Sequence, residues 1–148
     1  MEKIILIILV FMAKTTFSQT TNADISATII ALEKAALDKW NQGDPGGYLD
    51  ISADDVTYFD PFTEQRLDGL ETLKKYYEPL KGQIAAKYEM LNPKVIATND
   101  MAALTFNLYS YEGDKVLKWN CTEVYRHESN RQWKIVQTHW SLIKPLSD

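Results

Sequence analysis

The chain reads as an α+β domain in which three helices cover one face of a strongly curved antiparallel or mixed sheet, the two layers enclosing a cone with a cavity between them. Three observations lead there. Helical and strand-like segments follow one another in the order α, α, β, β, α, β, β, β, β, so helices dominate early and a meander of strands comes last. The last four strands are joined by "ND", "EGDK" and "ESNRQ", lengths that suit hairpins and not crossovers. A chain of 148 residues has room for one sizeable core and not two.

The N-terminus is set aside before any element is assigned. Met1-Glu2-Lys3, the apolar run 4–13 and "KTTFSQ" have the layout of a secretory signal peptide, with small residues at Thr16 and Ser18 favouring cleavage after Ser18 and a retained anchor as the alternative. The sequence thus divides into a leader, 1–18, and a domain, 19–148, bound for the periplasm or the exterior. The run is too short for a stop-transfer helix, so the mature form is expected to have no membrane span. Loss of Glu2, Lys3 and Lys14 removes one anion and two cations, taking the net charge from −4 to −5. That balance disfavours a general grip on nucleic acid or anionic lipid and leaves a small molecule or a protein as partner. The single cysteine, Cys121, cannot close an intrachain disulfide, so stability must come from packing.

The elements follow in order. Residues 24–42 place Ile25, Ile29, Leu32, Ala36 and Trp40 at helical spacing, with Thr21 or Asn22 available as the cap. "NQGDPGG" breaks this helix, and "GGYLDIS" reads as a short second helix or turn carrying Tyr48, Leu49 and Ile51 inward. The strand-like "DVTYF" runs into Asp60-Pro61, a short polar strand lies near "QRLDG", and a helix over 70–80 ends at Gly82. Strands are expected at 84–98, 102–111, 116–126 and 133–143.

Few residues could carry chemistry. Phosphate-binding glycine motifs, CxxC, HExxH and GxSxG are absent, and two histidines with one cysteine do not suggest zinc, so no metal or cofactor is expected. In the strand 116–126 alternation puts Trp119, Cys121, Glu123 and Tyr125 on the more apolar face. Glu123 is then either an interior carboxyl group kept protonated by desolvation or one half of a cross-strand ion pair. Asp60, held extended before proline, is either a rigidly placed general base or the head of an Asx turn bonding amides near Thr63. On the last strand Val136, Thr138 and Trp140 share one face, and Ile135, Gln137, His139 and Ser141 the other; pattern alone does not say which is inward. Trp40, Tyr76, Tyr77, Phe106 and Trp119 are core or pocket wall, and Tyr58 joins them as a candidate ligand contact.

"WNQGD", "ISADDVTYFDPFTEQRLDGLETLKKYY" and "TEVYRHESNRQWKIVQTHWSLI" resemble, in order and over 25–143, the NTF2-like superfamily, and within it the SnoaL-like, DUF4440-type and ketosteroid-isomerase-like domains. The resemblance implies the cone-shaped α+β barrel, a deep apolar pocket for a small hydrophobic molecule, and a homodimer formed through the outer sheet face. It puts Asp60 on the catalytic base of the isomerase "DPF" motif. Glu123 falls on the neutral acid that donates to the dienolate, a carboxylic acid that the isomerase holds protonated at neutral pH by placing it in an apolar site. Tyr76, Tyr77, Phe106, Val136 and Trp140 fall on pocket-wall positions, which favours Trp140 over His139 as the inward residue. The oxyanion tyrosine position falls on Ala36 and a supporting tyrosine position on Ser52. A missing oxyanion donor typically costs about 2.7–4 kcal/mol of transition-state stabilisation, which argues against authentic ketosteroid isomerase activity. Three uses of such a domain remain: binding of an apolar molecule, proton transfer by Asp60 and Glu123 in an isomerase or cyclase, or association, as in the hub domain of calmodulin-dependent kinase.

Overall fold

The computed structural model describes residues 21–84 and 86–143; the expected leader and its cleavage site lie outside them. Helix α1 (Asn22–Trp40) begins with a capping box: the Thr21 hydroxyl accepts from the Asp24 amide at 3.2 Å, and the Asp24 carboxylate accepts from the Thr21 amide at 3.1 Å. Two orphan donors of the first turn are satisfied in this way. The buried stripe is Ile25, Ile29, Glu33, Ala36 and Leu37, three and four residues apart as an amphipathic helix requires. Its centre is an acid.

Helix α2 (Gly46–Ile51) lies hard against α1, because a Cβ on Gly47 would sit 3.0 Å from the Ala36 Cα and carbonyl oxygen. Strand β1 (Ser52–Phe59), the two-residue β2 (Leu67–Asp68) and α3 (Leu70–Tyr77) follow, α3 running on into a 3₁₀ turn at Glu78–Leu80. Gly43, at φ +81°, accepts from the Gly82 amide at 2.8 Å, and a Cβ there would meet the Gly82 Cα at 2.9 Å. Only glycine can bring the end of α1 this close to the end of the α3 segment.

Strands β3 (Lys87–Ala97), β4 (Met101–Glu112), β5 (Lys115–His127) and β6 (Trp133–Leu142) complete a six-stranded mixed sheet of order β2-β1-β6-β5-β4-β3. Among the described residues only the β1–β6 pairing is parallel. The sheet is curved and unclosed, with the helices on its concave side; the α+β class and the order of elements are those expected. Helix 70–80 is shorter than its apolar pattern suggests, because Pro79 turns its last residues into the 3₁₀ segment.

Register stacks the inward side chains in layers along the cone. Tyr125 lies opposite Ala102 and Ile135; Glu123 opposite Leu104 and Thr138; Cys121 opposite Phe106 and Trp140; Trp119 opposite Leu108 and Leu142; Leu117 opposite Ser110. The first two layers are sealed, with Leu104, Glu123, Tyr125 and Ile135 all fully buried. One interruption breaks the alternation. Tyr125 pairs with Ile135 but Val124 pairs with Gln137, leaving Val136 as the extra residue of a β-bulge. Unbroken alternation from Trp140 would turn Val136 inward. The bulge instead gives that place to Ile135, and Val136 is half-buried with its carbonyl accepting from the Thr57 hydroxyl at 3.3 Å.

Candidate functional site

A cavity of about 440 Å³ opens at the wide end of the cone. Its helical side is built by Leu37, Trp40 and Asn41 from α1, Tyr48 from α2, and Tyr76, Tyr77 and Leu80 from the α3 segment. Its sheet side is built by Tyr58 from β1, Leu108, Ser110 and Glu112 from β4, Leu117 and Trp119 from β5 and Trp140 from β6. The rings meet at steep angles: Trp119–Trp140 at 88°, Tyr58–Tyr77 at 90° and Trp40–Tyr48 at 80°. Edge-to-face contacts of this kind are worth about 0.5–1.5 kcal/mol each beyond burial, so the walls are held in place before anything enters.

Asp60 stands at this cavity, and its two oxygens are fully engaged. One accepts from the amides of Phe62 at 2.8 Å and Thr63 at 2.9 Å, the Asx turn that an Asp-Pro sequence allows. The other accepts from the hydroxyls of Tyr76 at 2.6 Å and Tyr58 at 3.1 Å. A carboxylate offers about four lone-pair sites, and all four have a donor here. Asp60 could therefore take a proton from a bound molecule only by giving up one of these bonds. The same turn carries Phe62 out to the Trp119 ring, 6.1 Å away, at the cavity mouth.

Glu123 is elsewhere. It is fully buried, two layers below Trp119, and does not line the cavity. Its partners are the Tyr125 hydroxyl at 3.0 Å, the Thr138 hydroxyl at 3.3 Å, and Glu33 from the centre of α1. Glu33, equally buried, accepts from Tyr48 at 2.7 Å and Tyr125 at 2.8 Å. The Tyr125 hydroxyl has one hydrogen but lies between two carboxyl groups, so at least one of the pair must itself carry a proton. Burial, reinforced by the charge of Glu33, pushes Glu123 well above the usual carboxylate range and identifies it as the protonated member. The alternative of a cross-strand ion pair at Glu123 is not realised.

The other candidate positions divide. Trp40, Tyr58, Tyr76, Tyr77, Trp119 and Trp140 line the cavity with Asp60. Phe106 lies one layer beneath, its ring 5.5 Å from Trp140 and at 87° to it, as a support and not as lining. His139 is exposed on the outer face beside Phe59, and Val136 is withdrawn by the bulge. Ala36 packs on Gly47, and Ser52 donates to the Tyr48 carbonyl at 2.8 Å; neither faces this cavity. Sequence reasoning misses Glu33, although the gap it fills between Ile29 and Leu37 in the apolar stripe of α1 is visible in the sequence.

The SnoaL-like domain model matches residues 29–145, most of the chain. The chain belongs to the SnoaL-like domain family. The SnoaL-like chain is also similar to the solved structure of a "putative ketosteroid isomerase" from Parabacteroides distasonis ATCC 8503, at 48% identity and TM-score 0.77, over 87% of this chain and 96% of that one. An NTF2-like protein of unknown function from Pseudomonas putida KT2440 matches at 21% identity and TM-score 0.76, over 87% and 93%. The CaMKII hub of S. rosetta matches at 20% identity and TM-score 0.65, over 79% and 95%. The last two likenesses are of fold. No functionally curated protein matches the chain.

Proposed function

We propose that this SnoaL-like domain is a binding module that takes a small, largely apolar molecule into the aromatic cavity. The observation that carries the reading is the separation of the two carboxyl groups. Proton transfer by Asp60 with Glu123 as acid needs both groups to face one bound molecule, and a base with a free lone pair. Asp60 has its lone pairs occupied, and Glu123 lies beneath the Cys121–Phe106–Trp140 layer. The cavity has the size and lining of a small-molecule site.

Filling the cavity tests this. Ser110 is a small residue on its sheet wall, and Ser110→Trp should abolish uptake of a neutral environment-sensitive dye while leaving the melting temperature within a few degrees of wild type. Equal dye binding by the two proteins would remove the cavity as the site.

The leader expected at 1–18 and the homodimer implied by the resemblance belong to the same proposal. Protein recovered from outside the cytoplasm of an expressing bacterium should begin at Gln19 by mass and run at twice the chain mass in light scattering. A retained Met1 or a monomeric mass would contradict the respective part.

A further inference from the structure

The charge of the cavity narrows the class of molecule, given the binding reading above. Two carboxylates line it, Asp60 within the aromatic wall and Glu112 at the rim, and among the described lining residues there is no lysine, arginine or histidine. Five acids elsewhere on the domain sit in ion pairs, Asp50 with Lys39, Asp55 and Glu128 with Arg126, Asp68 with Arg66 and Glu71 with Lys74. Asp60 and Glu112 form no ion pair with a described cation.

The hydrogen-bonding polarity runs the same way. Tyr58 and Tyr76 point their hydrogens at Asp60, and Tyr48 points its hydrogen at Glu33. Three of the four phenols lining the cavity thus have their hydrogens committed to carboxyl groups of the protein. An anion would meet two negative groups, and a carbonyl would find these donors taken.

The rings supply the rest. Aromatic faces attract cations through their quadrupole, and several rings set at steep angles can present faces to one point, which is how aromatic cages hold quaternary ammonium groups. Trp119 with Trp140, and Tyr58 with Tyr77, are such perpendicular walls. We propose that the cavity selects an organic ammonium ion: a tertiary or quaternary amine carried on an apolar body, with the charge held among the rings and Asp60 and the body lying against Leu37, Leu108 and Leu117.

Three molecules with one tail test it: trimethyl(4-phenylbutyl)ammonium, its neutral analogue with carbon in place of nitrogen, and 5-phenylpentanoate, each titrated into the full domain and followed by quenching of tryptophan emission. The ammonium ion should bind about tenfold tighter than the neutral analogue, with the carboxylate weakest. Asp60→Asn should cut ammonium affinity about tenfold more than it cuts affinity for the neutral analogue. Because Asp60 also anchors a turn, Glu112→Gln at the exposed rim serves as the second variant, with an expected loss of about threefold confined to the ammonium ion. Equal affinity for the ammonium ion and its neutral analogue, or charge variants that change neither, would overturn the cation assignment and leave an apolar site standing. Failure of all three to bind would overturn the site itself.

Discussion

Replacing Glu123 by glutamine is expected to stabilise the domain at neutral pH, by a margin that grows as the pH rises. Glu123 is held in its acid form by burial and by the charge of Glu33, so its folded-state pKa is raised above the ordinary 4.5. The unfolded chain releases this proton as pH passes 4.5, whereas the folded chain keeps it. Between those two pKa values the folded state binds more protons, and stability falls by up to about 1.4 kcal/mol per pH unit. The contribution is fully present below about pH 4.5 and is progressively lost as pH rises toward the folded pKa. Glutamine has the shape of the protonated acid, can donate to Glu33 as that acid does, and does not titrate. Urea titrations from about pH 4.5 to about pH 8.5 should show the two proteins converging at the acid end and separating steadily above it. A glutamine variant less stable than wild type at about pH 8, or a gap that does not change with pH, would refute the assignment of the proton to Glu123.

Truncation of the partner should have the opposite sign. Glu33→Ala removes the acceptor of two buried phenols, Tyr48 at 2.7 Å and Tyr125 at 2.8 Å, and leaves a void at the centre of the α1 stripe. Breaking a buried, hydrogen-bonded network in this way costs about 3–5 kcal/mol, which for a domain of this size is a fall of roughly 15 °C in melting temperature. Glu33→Gln keeps a carbonyl acceptor and should lose less than half as much. Tyr48 both lines the cavity and depends on Glu33, so the alanine variant should also bind the probes of the cavity more weakly. A loss below about 1 kcal/mol would mean that the network contributes little and that packing alone holds these layers.

The two acids differ in how far they could be anticipated. Glu123 lies on a strand whose period of two places it among Trp119, Cys121 and Tyr125, so its inward direction follows from its neighbours. Its partner Glu33 lies on another element, far earlier in the chain. Helical spacing makes Glu33 an interruption in an apolar stripe, but nothing local says whether such a side chain is buried or bends the helix outward. Burial is decided by Tyr48 and Tyr125, which supply two hydroxyl hydrogens at the point where the helix crosses the sheet. Asp60 shows the same division. Proline and the following turn predict the bonds to Phe62 and Thr63, while the bond from Tyr76 requires α3 to fold back across β1.

Sequence by itself determined the order and kind of the elements, the α+β class, the inward face of β5 and the rigid placement of Asp60, because each depends on interactions among residues a few positions apart. Tertiary structure alone decided three further matters: which carboxyl group meets the cavity, which one shares a proton in the core, and where β6 changes face. The bulge at Val136 lies where β6 is paired on both sides, with β5 antiparallel and with β1 parallel. Nothing within the segment "WKIVQTHWSL" encodes a register that its neighbours impose. The lone pairs of Asp60 are likewise filled by tyrosines from two different elements, and that makes a residue placed like a base into the anchor of a binding cavity.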